Sequence, residues 1–342
     1  MQFFSQHLSK KARAAILKRV AGVVGRETFI GGREVAELES RLTSYFGMTA
    51  VTCNSGTDAL VLGLRALGIG PGDEVITTAF TYFATIEAIA IVGAKPVLVD
   101  IDPATYNIDP SLIEAKITRR TRAVLVVHLF GLACDMAPIV RLCRRRGLKL
   151  VEDCAQSFGA RGGKKLTGTF GDVGCFSFFP TKNLGGFGDG GAVTIRSKEV
   201  LRRFRLLKNH GQSKKYVHDV IGYNSRLDTI QAAVLLAKLD LFEADMRLRR
   251  TLASAWLKRF RKHPDVRRLP DQAEHTYNIF TMTVRDRTAF MAELGHAGIP
   301  AAVYYELPVY RQRAYRDLFG RQALLPHAEF AAAHVISLPS HV

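Results

Sequence analysis

A lysine enclosed by aromatic residues and followed by glycines is poorly placed to be solvated. Residues 176–184 read Phe-Ser-Phe-Phe-Pro-Thr-Lys-Asn-Leu, and the lysine is Lys182. Low polarity around an amine depresses its pKa and favours the neutral form, which Schiff-base chemistry requires. Taken alone, the segment is also compatible with an ordinary surface-loop lysine. Upstream, Val151-Glu152-Asp153-Cys154-Ala155-Gln156 places an acid directly after an apolar run. Such an acid lies at the carboxyl edge of a parallel sheet, where α/β folds bind ligands. Its plainer role is to cap a helix.

Two further segments have anion-binding character. Ser55-Gly56-Thr57 stands between a strand-like and a helix-like run, so exposed amides and two hydroxyls would meet at a helix N-terminus. Most junctions of this kind are merely capped. Residues 222–228, Gly-Tyr-Asn-Ser-Arg-Leu-Asp, open a helix with unusually polar side chains, although Ser225 could be only its N-cap. Residues 186–191 match G-x-G-x-x-G, but the dinucleotide fingerprint follows a strand and opens a helix. Here a strand-like run, 192–195, comes next. A dehydrogenase is therefore disfavoured, and the glycines are expected to let the backbone beside Lys182 lie close to a bound ring.

The elements that must position these groups alternate. Strand patterns at 49–53, 74–77, 96–99, 123–128 and 149–152 are interleaved with helical patterns at 56–67, 81–92 and 135–146. Val/Ile/Leu-rich strands in a βαβα rhythm predict a mostly parallel sheet with helices on both faces. From Ser225 the pattern turns helical through 231–239 and 245–262. Strand-like 277–284, helical 288–297 and strand-like 300–305 then suggest a small α+β unit. The expected division is a large domain over 1–240, with an N-terminal entry helix, and a small domain over 241–342. The entry helix would carry Leu8, Ala12, Ala15, Leu17 and Val20 along its length.

Composition excludes other classes. The chain has 342 residues, 47% hydrophobic and 23% charged, which is ordinary for a globular protein. No apolar run approaches the roughly 18 residues of a membrane span. Five scattered cysteines, without a C-x-x-C pair, suit neither a disulfide framework nor a zinc site and fit a reducing cytoplasm; no metal is expected. Residues 1–26 are basic and lack acid, loosely like an organelle presequence, but a plain amphipathic helix is the simpler reading. The net charge of +17 is spread along the chain without a recognition motif, so nucleic acid is not an expected partner. A diphosphate-bearing substrate is a sufficient one.

Several blocks stand in order: residues 54–60 (NSGTDAL), 70–75 (GPGDEV), 99–103 (VDIDP), 152–159 (EDCAQSFG), 172–183 (DVGCFSFFPTKN), 188–192 (GDGGA), 209–211 (NHG) and 222–232 (GYNSRLDTIQA). Together they resemble the nucleotide-sugar aminotransferases of the DegT/StrS type, pyridoxal-phosphate (PLP) enzymes of fold type I. The resemblance runs from about residue 28 to the end. It implies an α/β fold with a large three-layer α/β/α domain and a smaller C-terminal α+β domain.

It also implies roles. Lys182 would bond the cofactor and shuttle the proton, and Asp153 would pair with the pyridinium nitrogen. Gln156 would lie against the ring's 3-oxygen, and Tyr82 would stack on the ring unless it packs in the core. Gly56, Thr57 and Ser177 match phosphate-binding positions. Asn224 matches a phosphate ligand from the neighbouring subunit, so a homodimer with shared active sites is expected. Arg226, Tyr304, Tyr305 and His210 match substrate-side positions, though Arg226 and His210 have structural roles as alternatives. The implied reaction moves an amino group, with L-glutamate as donor, through PLP and pyridoxamine phosphate (PMP) onto a UDP- or dTDP-linked keto-sugar at C3 or C4. The similarity leans toward 3-keto UDP-sugars. Related dehydratases carry histidine where Lys182 stands, which disfavours dehydration. The runner-up is a non-catalytic, regulatory homologue that binds PLP or a nucleotide.

Two departures stand out. After Tyr305 the sequence reads Glu306-Leu307-Pro308-Val309-Tyr310 rather than a P-x-P-L-H-like run. Relatives also continue with a further helix past the block at 337–341, whereas this chain stops at Val342. Loss of that helix would expose Phe330 and Val335.

Overall fold

A computed structural model describes residues 8–340. The first seven residues of the basic N-terminal stretch, and His341 of the last block, lie outside the described residues. The chain enters through α1 (Lys10–Val24) and α2 (Arg33–Phe46), then alternates β1 (Ala50–Cys53), α3 (Gly56–Ala66), β2 (Glu74–Thr78), α4 (Ala84–Ile91) and β3 (Lys95–Val99). β4 (Thr121–Val127), α5 (Met136–Arg146) and β5 (Lys149–Asp153) continue the rhythm. A short ribbon, β6 (Arg161–Gly162) and β7 (Lys165–Leu166), precedes β8 (Val173–Ser177), β9 (Gly191–Ile195) and α6 (Lys198–Leu207). The hairpin β10 (Gln212–Lys214) and β11 (Val217–His218) leads to the long helix α7 (Thr229–Phe260). The remainder comprises β12 (Val266–Arg268), β13 (Phe280–Val284), α8 (Arg287–His296), α9 (Arg313–Phe319), α10 (Pro326–His334) and β14 (Val335–Leu338).

Seven strands form the central sheet in the order β1-β9-β8-β5-β4-β2-β3. Only β9 runs against the others. The strands are buried on both faces, which explains their continuous apolar runs. One face packs on α3, α4 and α6, around Leu60, Leu64, Ile86, Ile89 and Phe204. The other face meets α5 through Ile139 and Leu142. α2 presents Leu38, Leu42 and Phe46, four residues apart, to the first half of α7. It ends at Gly47, whose φ of 62° stops the helix in the left-handed region.

The fold is the expected α/β class, with local differences. The two helical stretches at 231–239 and 245–262 are one helix, because nothing between them breaks it. Residue 240 lies inside α7. The helix packs Leu235 and Leu236 against the large sheet's cluster, and Trp256 and Phe260 against β13, β14 and α8. The strand expected at 300–305 is reduced to one bridge, Ala302 with Ser337, after which the chain turns inward. The strand expected from 277 begins at Phe280, since residues before it bond elsewhere. Along α1 Ala12 is buried, and Leu8 (just before the helix) and Val20 pack inward as expected, but Ile16 and Val23 complete the inward stripe, while Ala15 and Leu17 face outward. Val335 is fully buried in β14, contrary to the expected exposure, while Phe330 is half exposed. Among the described residues no helix is long and apolar enough to cross a membrane.

Candidate active site

The carboxyl edge of the parallel strands gathers the chemistry. β5 ends in Asp153, a buried residue whose carboxylate accepts the Ala155 N–H at 3.1 Å and the Thr85 hydroxyl at 2.9 Å. Thr85 lies in the first turn of α4 and is within 3.1 Å of the Thr81 hydroxyl. Burial pushes the Asp153 carboxyl above its ordinary pKa, against the opposing pull of those donors and of Lys182. Lys182 stands in the turn after β8, closed by its own N–H to the Phe179 carbonyl at 2.9 Å. Burial lowers the pKa of its amine, and the Asp153 charge offsets part of that fall. Lys182 is half-buried, and the charge of the buried Asp153 carboxylate acts on its amine, which a freely solvated surface-loop lysine would not feel.

Gln156 is fixed at both ends of its amide. Its Oε1 accepts the Phe130 N–H at 2.7 Å, and its Nε2 donates to the Tyr305 hydroxyl at 2.9 Å. That second bond brings the small α+β unit onto the large sheet's edge. The Tyr305 ring lies 6.0 Å from Phe80 and 6.2 Å from Tyr82, and Tyr304 packs edge-on against it. Tyr82 is 62% exposed, so it is not a core residue.

The turn from β1 to α3 forms a cradle. Ser55 caps α3 by accepting the Asp58 N–H at 3.0 Å, leaving Gly56 and Thr57 in the first turn. A Cβ on Gly56 would sit 2.6 Å from the Ser177 Cβ, so only glycine lets this turn approach the end of β8. Ser177 Oγ accepts the Phe179 N–H at 3.3 Å. Free amides at a helix N-terminus beside hydroxyls form an anion site. Ser225 is not the cap of α7, which is Asp228; its hydroxyl instead accepts the Asn54 N–H at 3.3 Å and ties the 222–228 segment to this turn.

Asn224, Arg226 and His210 form a separate group around Asn209. Asn224 bridges Asn209 through the backbone, and Arg226 donates to Asn209 Oδ1 at 3.2 Å. His210 is exposed, with φ of 56°. The hydrogen bonds of the described residues join none of the three to Asp153, Gln156 or Lys182. The glycine run 186–191 leads into β9 and is held by the Phe187 N–H to Gln231 Oε1 at 2.9 Å, which confirms that it opens no nucleotide-binding helix.

A second carboxylate backs the first. Glu152 Oε1 accepts the Phe170 and Gly171 N–H groups, and Oε2 accepts the Gly168 N–H, each at 2.8 Å. His128 Nδ1 accepts the Cys134 N–H at 3.0 Å, so Nε2 carries the proton and donates to Glu152 at 2.9 Å. His128, Glu152 and Cys154 bring possible metal-ligand atoms within 4.8 Å of one another. The carboxylate and imidazole are already committed, however, and burial raises the Cys154 thiol to about 12. The cluster is a structural brace. Thr85, Glu152 and His128 were missed as site residues. A hydroxyl in the first turn of a helix and an acid next to Asp153 were the only signals available.

The donor set fits PLP. Its phosphate suits the helix N-terminus at Gly56, its ring nitrogen suits a buried carboxylate in want of a positive partner, and its aldehyde suits the amine of Lys182.

Comparison with known proteins agrees. The pattern describing the DegT/DnrJ/EryC1/StrS aminotransferase family matches residues 10–342. The UDP-2-acetamido-2-deoxy-3-oxo-D-glucuronate aminotransferase of Pseudomonas aeruginosa is 44% identical over 317 residues, covering 92% of this chain and 87% of the relative. The crystal structure of S. venezuelae DesV in complex with a ketimine intermediate superposes with a TM-score of 0.93 at 40% identity, over 96% of this chain and 90% of that one. The Bacillus subtilis NtdA structure with bound cofactor PMP gives a TM-score of 0.91 at 31% identity, over 97% and 78%.

Proposed function

Because the chain belongs to the DegT/DnrJ/EryC1/StrS aminotransferase family, we propose that it takes the amino group of L-glutamate and delivers it to C3 of a UDP-linked 3-keto-sugar. It is a PLP-dependent aminotransferase acting on nucleotide sugars. When bound, the cofactor supplies the electron-withdrawing ring that acidifies the substrate C–H bond. The chain supplies binding, orientation and proton transfer. The observation that carries the reading is the meeting, at the ends of the neighbouring strands β5 and β8, of the buried Asp153 carboxylate, the turn that carries Lys182, and the Gly56 helix N-terminus packed on Ser177.

In this reading Asp153, held by Thr85 and Ala155, keeps a proton on the ring nitrogen. The Lys182 amine, its pKa lowered by burial, takes up a proton from the substrate carbon and returns it nearby. Gln156 cannot turn over, because Phe130 fixes its oxygen; its Nε2 donates to Tyr305 and would offer its second N–H to the ring's 3-oxygen when the cofactor is bound. Gly56, Thr57 and Ser177 take the phosphate, and Tyr82 covers the ring. Tyr304, Tyr305, Arg226 and His210 belong to the sugar side.

Asn224 is exposed and stands apart from Lys182, which suits a ligand given to the site of a second copy. Ile91, Val220 and Ile221 line a groove of about 610 Å³, and Ile221 is 89% exposed, an apolar face that a homodimer would cover. The cytoplasm is the compartment we infer, since all five cysteines are free thiols buried in the fold. The net charge of +17 favours capture of a diphosphate substrate without nucleic acid.

The test is spectroscopic. Purified protein loaded with PLP should lose its visible absorbance on addition of L-glutamate, and a UDP-linked 3-keto-sugar should restore it faster than a dTDP-linked or 4-keto one. Loaded protein that ignores glutamate would support a non-catalytic binding protein instead.

A further inference from the structure

Asn278 belongs to none of the motifs above. It lies in the stretch before β13 and is only 2% exposed. Its Nδ2 donates to Asn183 Oδ1 at 3.1 Å and to the Thr181 carbonyl at 3.4 Å, the residues on either side of Lys182. Asn183, 7% exposed, spends its own Nδ2 on the Phe158 carbonyl at 3.1 Å. With the Lys182 N–H on Phe179, the turn 181–183 is gripped from three directions.

The grip is itself braced. The Asn278 carbonyl accepts the Ser340 hydroxyl at 2.7 Å, and Arg249 of α7 donates to the Tyr277 carbonyl at 3.2 Å. Two residues earlier, the Thr276 N–H reaches the Gly131 carbonyl at 2.9 Å. The segment 276–278 is thus wedged between the large sheet's edge and the small α+β unit.

We propose that Asn278 is a positioning residue for Lys182. It fixes the backbone from which a four-carbon arm must deliver an amine to the reacting atoms, and it couples that placement to the small unit. The inference rests on Lys182 being the cofactor lysine. A lysine side chain has several rotatable bonds, so its amine is only as well placed as its Cα. Displacements of about 1 Å remote from the chemistry can cost on the order of 10²-fold in rate. Without the donor, the buried Asn183 Oδ1 would lose this partner and the half-buried Thr181 carbonyl would lose its tie, and the turn would reorganise to recover one.

The experiment compares PLP-loaded wild type with Asn278→Leu, similar in shape but without a donor, and Asn278→His, which restores an N–H. It reads the single-turnover rate with L-glutamate, the KM for the nucleotide sugar, and the pH midpoint of the visible cofactor absorbance. The leucine variant should still bind PLP but react about ten- to a hundredfold more slowly. Its pH midpoint should move, and its KM should stay within about twofold because the sugar side is untouched. The histidine variant should recover most of the rate. Wild-type rate and midpoint in the leucine variant would overturn the proposal, as would a histidine variant no faster than leucine. If the leucine variant does not fold, Asn278→Asp keeps the shape without the neutral donor and should be equally slow; a wild-type rate there would overturn it. A wild type that neither loads PLP nor responds to glutamate refutes the proposed function, and this inference falls with it. A reactive wild type beside an unaffected variant refutes this inference alone.

Discussion

Replacing Glu152 by Gln tests how the end of β5, and with it Asp153, is held in place. The wild-type carboxylate accepts four hydrogen bonds, two at each oxygen, from Phe170, Gly171, Gly168 and His128. A glutamine keeps one accepting oxygen. Its –NH2 then faces two donors in either orientation, so two buried N–H groups lose their acceptor. His128 cannot relieve this by moving its proton, because Nδ1 already accepts the Cys134 N–H. Each donor left unsatisfied costs about 1–3 kcal/mol, and the two surviving bonds weaken by roughly 1 kcal/mol each on losing the charge. Desolvation of the carboxylate is no longer needed and returns part of this, leaving a net loss of about 3 kcal/mol. At about 2 cal/mol/K of unfolding entropy per residue, that lowers the melting temperature by roughly 4 °C. Circular dichroism melts and urea midpoints of cofactor-free Glu152→Gln measure it. A drop under about 1 °C, or any rise, would refute the reasoning, because desolvating the carboxylate would then outweigh its four bonds.

Asp153→Asn should separate stability from activity. The Asp153 pKa is raised in the fold, so its favourable contribution is complete below the unfolded value near 3.8 and is lost as pH rises through the higher folded value. Cofactor-free Asp153→Asn should therefore unfold at higher urea than wild type at pH 8, with the gap closing toward about pH 4, yet react with glutamate at least about a hundredfold more slowly. Equal urea midpoints at pH 8 would contradict the burial cost assigned to this carboxylate. Gly56→Ala would place a methyl 2.6 Å from the Ser177 Cβ and 3.2 Å from its Cα, so rotating the hydroxyl cannot make room. PLP titration should show affinity reduced by about tenfold or more, equivalent to 1.4 kcal/mol, and unchanged affinity would remove the cradle from the phosphate site.

Much of this protein was legible along the chain because periodicity and punctuation are local. Apolar runs of strand length, separated by helical spacing and stopped at residues such as Gly47 and Gly147, prescribe the α/β alternation. An acid at the end of one of those runs must lie at the sheet's carboxyl edge, so Asp153 could be placed at that edge from residue order alone. Where a local pattern was ambiguous, reading it failed. The segment 300–305 has strand-like composition but makes a single bridge, because Tyr305 turns inward to Phe80 and Gln156. The two helical stretches of α7 read as separate because its faces change partner midway, which no single period records, although nothing between them breaks the helix. The partners themselves lay out of reach. Thr85 meets Asp153 across 68 residues, Asn278 meets Asn183 across 95, and Tyr305 meets Gln156 across 149. Those pairings depend on a strand order that crosses over repeatedly and on where the small unit settles against the sheet. The chain alone determined which groups could react; only the packed tertiary structure decided which neighbours desolvate, orient and brace them, because a hydrogen bond is set by distance in space and not by separation in sequence.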